Sequence, residues 1–188
     1  METMVVIGVL AMLLMAVAVF LIAAYNGLVQ LRQRVQNAWS QVDVQLKRRY
    51  DLIPNLVNAI KGYAQHEKDT LEGVTQARNM AIAAGNVREQ AQAETMLSGA
   101  LKSLFAVAEA YPELKANTNF MQLQTELSDT ESKIAFARQF YNDTVQSFNT
   151  KLELFPTNLV AGMLGFGMVD YFTLQGETEA RQNVQVDF

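Results

Sequence analysis

Apolar residues recur at steps of three and four along most of the chain. From Leu28 they run through Leu31, Val35, Ala38/Trp39, Val42, Leu46, Tyr50, Ile53, Val57 and Ile60 to Ala64. A stripe of this period is the apolar face of a helix seated on one partner surface. Second and third helices are predicted over about 67–84 and 87–110. The former turns Leu71, Val74, Ala77 and Ala81 inward, and the latter Ala93, Met96/Leu97, Ala100/Leu101, Leu104/Phe105 and Ala108. Gly85-Asn86 between them reads as a helix C-cap, and Tyr111-Pro112 ends the third helix. A fourth, over about 117–153, places Phe120, Leu127, Ile134, Tyr141 and Phe148 at intervals of seven, the spacing of coiled-coil-like packing. Connections this short imply antiparallel neighbours, and no segment alternates as a strand does.

Two regions break the amphipathic pattern. From Met4 to Tyr25, "MVVIGVLAMLLMAVAVFLIAAY" holds no charge and has no polar face. As a helix rising ~1.5 Å per residue it is about 33 Å long, which matches a hydrocarbon core of about 30 Å. A cleaved signal peptide needs a cationic start, whereas "METMVV" offers Glu2 and neither Lys nor Arg, so the run reads as an uncleaved anchor. No Pro/Gly/Ser linker separates it from the stripe, so anchor and first bundle helix are expected to be continuous. Pro54 is the exception within that helix: it cannot donate to the Tyr50 carbonyl, and a kink is expected there. The other irregular region is the tail after Phe155-Pro156, where Gly162, Gly165 and Gly167 interrupt an apolar stretch. It has to be buried on its own bundle, on a neighbouring subunit or at the membrane surface.

The expected architecture is therefore all-α: a transmembrane anchor over 1–25, an antiparallel up-and-down four-helix bundle over 26–154, and an irregular C-terminal tail over 155–188.

Charge sharpens this picture. The net charge of −4 conceals seven Lys/Arg against three Asp/Glu in residues 26–68, and eight against fifteen in residues 69–188. A basic helix packed beside acidic ones accounts for this, as does a basic collar near anionic headgroups. Nucleic acid is not an expected partner, because the acidic bulk repels phosphate. Cations follow the span and none precede it, which places the N-terminus outside and the bundle in the cytoplasm.

Candidate chemistry is sparse. The chain has no cysteine, excluding disulfides and thiolate sites. Its one histidine, His66 in "QHEK", lacks the converging ligands a metal needs. Asp43 precedes Lys47 by four residues, the spacing of an intrahelical pair. Trp39 is either core or a binding anchor. "GMLGFG" follows no strand and is no dinucleotide fingerprint. No catalytic residue, cofactor or metal is expected. Lys47, Arg48 and Arg49 fan over about 200° of helix, so they cannot all face the acidic helices; they are candidates for a partner or lipid contact. Phe166, Tyr171, Phe172 and Phe188 in the tail are candidate contacts between copies.

"YNGLVQLRQRVQNAWSQVDVQLKRRYDLIPNLVNAIKGYAQHEKDTLEGVTQARN", "YNDTVQSFNTKLELFPTNLVAGMLGFG" and the terminal "EARQNVQVDF" together resemble the LemA family over essentially the whole chain. The resemblance implies a bacterial protein with one N-terminal transmembrane helix and a four-helix bundle. It brings no catalytic residues. Family members resembling lipoproteins carry a cysteine just before the stretch matching Tyr25-Asn26, where this sequence has Ala24. The expected function is a non-enzymatic scaffold that self-assembles at the inner membrane. The alternatives are an adaptor for another membrane protein, such as a membrane metalloprotease, or a lipid-binding, membrane-shaping protein.

Overall fold

The computed structural model describes residues 1–64 and 66–174, and they are all-α. Six helices follow one another: α1 Glu2–Lys61, α2 Lys68–Ala83, α3 Val87–Glu109, α4 Pro112–Lys115, α5 Thr118–Glu153 and α6 Thr157–Met163. No strand occurs among the described residues. The described residues divide into two compact units, one built from 1–38 and 142–169, the other from 39–141 and 170–174. Both α1 and α5 contribute to each unit.

In the first unit every residue from Met1 to Ala23 is exposed. Burial starts at Ala24 and Leu28, which share a core with Val35 and Ala38, with Val145, Phe148 and Leu152 of α5, and with Val160 and Ala161 of α6. The tail is thus less irregular than its glycines imply, since residues 157–163 form a full helix. That helix ends where Gly165 takes a φ of 70°, a left-handed conformation that favours glycine. The Phe166 N–H then turns back to the Ala161 carbonyl at 3.0 Å. Beyond this turn, the Asn149 carboxamide donates to the Val169 carbonyl at 2.9 Å and accepts from its N–H at 3.0 Å. One side chain thereby satisfies both backbone groups of a residue that lies in no helix.

The second unit buries Val42, Leu46, Ile53, Leu56 and Ile60 of α1 with Leu71 and Val74 of α2, Leu97, Leu101 and Leu104 of α3, Leu114 of α4, and Phe120, Leu127, Ile134 and Tyr141 of α5. The starts of α3 and α5 are fixed by side-chain caps. Asn86 accepts from the Glu89 N–H, and Glu89 reaches back to the Gly85 N–H, a reciprocal arrangement close to a capping box. This corrects the reading of Gly85-Asn86 as a C-cap. Gly85 has no positive φ, and Asn86 opens the following helix rather than closing the previous one. Asn117 caps α5 in the same way, accepting from the N–H groups of Asn119 and Phe120.

Pro54 lies inside α1, and the helix runs through it unbroken. The Tyr50 carbonyl, which Pro54 cannot serve, is instead taken by the Arg78 side chain of α2, whose Nε–H donates at 2.7 Å. A tertiary hydrogen bond therefore replaces the helical one and offsets part of the proline's cost.

Candidate functional site

The cation strip sorts itself by helical azimuth. Lys47 and Arg48 are exposed, and Lys47 pairs with Asp43 at 3.3 Å as the spacing predicts. Arg49 turns inward beside Leu46 and Tyr50, is only 3% exposed, and cannot serve as a surface contact. Its guanidinium donates to Glu94 at 2.7 Å and to Ser98 at 3.0 Å, both on α3, and pairs with Glu131 of α5 at 2.9 Å.

Around this cation lies a closed polar centre. Glu94 is 2% exposed and accepts from the Tyr50 hydroxyl as well as from Arg49. The carboxamide nitrogen of Gln90, also buried, shares its two protons among the Tyr50 oxygen at 2.8 Å, Glu94 at 3.1 Å and the Ala81 carbonyl of α2 at 3.1 Å. Burial, then the charge and hydrogen bond of Glu94, drive the Tyr50 hydroxyl far above the ordinary tyrosine range, against the opposing charge of Arg49. Burial also raises Glu131 above the usual carboxylate range; Arg49 opposes this and Glu94 adds to it. A cavity of about 150 Å³ adjoins the centre, lined by Arg49, Glu94, Glu131, Ile134, Ala135, Arg138, Phe172 and Leu174.

The groups of this centre are bound to one another across helices. The carboxylates are committed to Arg49, and the Tyr50 proton is held by Glu94. Desolvation of a buried charge pair is repaid only with support from further hydrogen bonds; Ser98 gives Arg49 one, while its Nε has no partner among the described residues, and the ion pairs tie α1 to α3 and α5. No group of three His, Cys, Asp or Glu side chains that could hold a metal occurs among the described residues, and His66 is exposed. This centre leaves its mark in the sequence where Gln90 and Glu94 occupy the buried stripe of α3, at positions where apolar residues are the rule.

The tail candidates divide as well. Phe172 is 1% exposed and meets the Trp39 ring at 5.5 Å, while Trp39 meets Tyr141 at 5.2 Å, both edge to face. Phe172 is therefore core of its own chain, and its assignment as a contact between copies is corrected by that packing. Tyr141 donates to the Asp170 carbonyl at 2.9 Å. Burial, with Asp170 adding, pushes the Tyr141 hydroxyl up to about 12. Phe166 is half-buried within the first unit, against Tyr25 at 6.2 Å and Phe148 at 6.5 Å, with the Arg32 guanidinium 5.4 Å above its ring. Tyr171 is exposed. Phe188 lies outside the described residues.

These features define a helical protein with one helix, among its described residues, long and apolar enough to cross a membrane. The chain belongs to the LemA family, whose profile matches residues 38–188. It is similar to protein LemA of Metamycoplasma hominis, at 32% identity over 78% of this chain and 68% of that protein. It also resembles magnetosome protein MamQ of Magnetospirillum gryphiswaldense, at 25% identity over 85% of this chain and 68% of the relative. Magnetosome protein MamQ 2 of Paramagnetospirillum magneticum matches at 25% identity over 81% and 65%. The chain spans about two thirds of the length of these curated relatives.

Proposed function

We propose that this chain is a non-enzymatic helical scaffold, anchored by α1 in the bacterial inner membrane with the rest of the chain on the cytoplasmic side, which assembles with copies of itself. The observation that carries the anchoring is the fully exposed run from Met1 to Ala23. An apolar sleeve of that length is costly in water and is covered by lipid at no cost in unsatisfied backbone, since a helix bonds its own peptide groups. For the remainder of α1 with α2, α3 and α5, the antiparallel four-helix bundle remains the best reading. One polar centre on Arg49 reaches Ala81, Glu94 and Glu131 on the other three.

Self-assembly needs a surface other than Phe172. The second unit carries one: Phe136 is 72% exposed, beside exposed Phe140 and Val44 around an open groove of about 580 Å³. Its rim is Ser40, Gln41, Gln45 and Lys133, so only one charge stands in the way of an apolar contact. Anchoring confines copies to one plane and raises their effective concentration. Light scattering of detergent-extracted protein tests this. A protein mass several times 21.0 kDa is expected, and Phe136→Asp should return it to single chains without loss of helicity. A wild-type mass of one chain contradicts self-assembly. A stoichiometric second polypeptide would favour the adaptor.

A further inference from the structure

Residues 154–169, "LFPTNLVAGMLGFGMV", contain no charged side chain. α6 buries Val160 and Ala161 yet leaves Leu159 and Met163, one turn apart, exposed, the latter at 84%. Phe155, just before the helix, is 78% exposed, and Leu164 and Met168, just after it, are exposed too. A soluble surface does not concentrate large apolar side chains in so short a segment without a use for them.

The place of this segment within its unit identifies the use. Phe166 packs on Tyr25, the last residue of the apolar run 4–25, and lies under Arg32, the first cation after it. Those two residues are seven apart on α1, about 10 Å along the axis. The headgroup layer on each face of a bilayer is about 5–8 Å thick, half the difference between a ~30 Å core and a ~40–45 Å membrane. Phe166 thus sits at the height where the span leaves the hydrocarbon. Exposed Arg34 lies two residues beyond Arg32, so cations suited to lipid phosphates border the same level.

We propose that residues 154–168 are a second membrane-contacting element, lying in the boundary between headgroups and acyl chains beside the exit of the α1 span. Leu159, Met163 and Phe155 enter the acyl region, and Val160, Ala161 and Phe166 hold the segment to its own unit. An anchor of one span plus one interfacial segment resists rotation and tilt, which a lone helix does not. The inference rests on the anchoring of α1 and deepens it.

Depth-dependent quenching distinguishes the two. The chain has no cysteine, so single substitutions Ala11→Cys, Met163→Cys and Ser132→Cys each carry one environment-sensitive fluorophore. The full chain is reconstituted in phosphatidylcholine–phosphatidylglycerol vesicles containing lipids spin-labelled near the headgroup or deep in the chain. The label at position 11 should be quenched most by the deep spin label. That at 163 should be blue-shifted and quenched most by the shallow one, and that at 132 by neither. Quenching at 11 without quenching at 163 overturns the interfacial element and leaves the span intact. A blue shift at 163 without quenching assigns the patch to a protein contact and equally overturns it. Absence of quenching at 11 as well removes the anchor itself, and the proposal with it.

Discussion

The two parts of α1 on either side of Ala24 are built from the same secondary structure and show opposite burial. Before it, large apolar residues occupy every azimuth and all are exposed. After it, the buried positions Leu28, Val35, Ala38, Val42, Leu46, Tyr50, Ile53, Leu56 and Ile60 advance mostly by three or four, and the intervening positions are largely polar. Hydrophobicity alone therefore does not make a core. Its angular distribution decides whether a helix is solvated by protein on one side or by lipid all round. The amphipathic part also tolerates what the apolar part lacks, a buried charge, because other helices supply its partners.

The largest effect should come from that charge. Glu94→Ala strands the Arg49 guanidinium, 3% exposed, with only part-exposed Glu131 as counter-ion. Removing one member of a buried pair costs about 3–5 kcal/mol, so thermal unfolding of the detergent-solubilised protein followed by circular dichroism should shift down steeply. An unchanged melting temperature would mean that the centre is not closed.

Next comes the apolar part. Leu13→Arg places a cation in the middle of the run, which opposes insertion by about 2.5–3.5 kcal/mol. The fraction resisting alkaline extraction from membranes should fall, while the helices after Ala24 melt as before. Loss of their stability instead would mean that residues before Ala24 pack on protein.

A smaller effect concerns the proline. Pro54→Ala restores a helical donor to the Tyr50 carbonyl, and Arg78→Ala removes its substitute. Each half of a double-mutant cycle should show that Arg78→Ala costs about 1 kcal/mol in the presence of Pro54 and less in its absence. Additivity within error would mean that Arg78 does not compensate for the proline.

The mildest is a dependence on alkaline pH. Tyr50 and Tyr141 have folded-state pKa values raised above that of an unfolded tyrosine. Above about pH 10 the unfolded chain loses protons that the folded chain retains. Stability from these groups is full below that pH and declines as pH rises. Tyr50→Phe should flatten the decline of melting temperature above about pH 10, at some cost in stability at neutral pH from the lost bond to Glu94. An identical slope in the variant would detach Tyr50 from the linkage.

How much of this was legible varied with range. The four long helices follow from spacing alone, because period and length are local properties, and their bounds fall within a residue or two of expectation except where α1 stops at Lys61. α4 and α6 are too short for a period to show, and the glycines of the second disguise it further. The orphaned carbonyl of Tyr50 was visible in the sequence as soon as Pro54 was, but not that Arg78 would supply its donor, which depends on how α2 packs. The same holds for Arg49: three adjacent cations are equivalent in sequence, and only packing turns one of them towards Glu94. Phe172 looked unattached because its partner, Trp39, belongs to a distant part of the chain.

The most direct test of anchoring uses single cysteines at the two ends of the comparison, Glu2→Cys and Ser132→Cys, in a chain that has none of its own. In intact cells an impermeant thiol reagent should label position 2 and leave position 132 unlabelled until the inner membrane is opened. Labelling of both positions from outside, or of neither, would place them on the same side, and α1 would not span the bilayer.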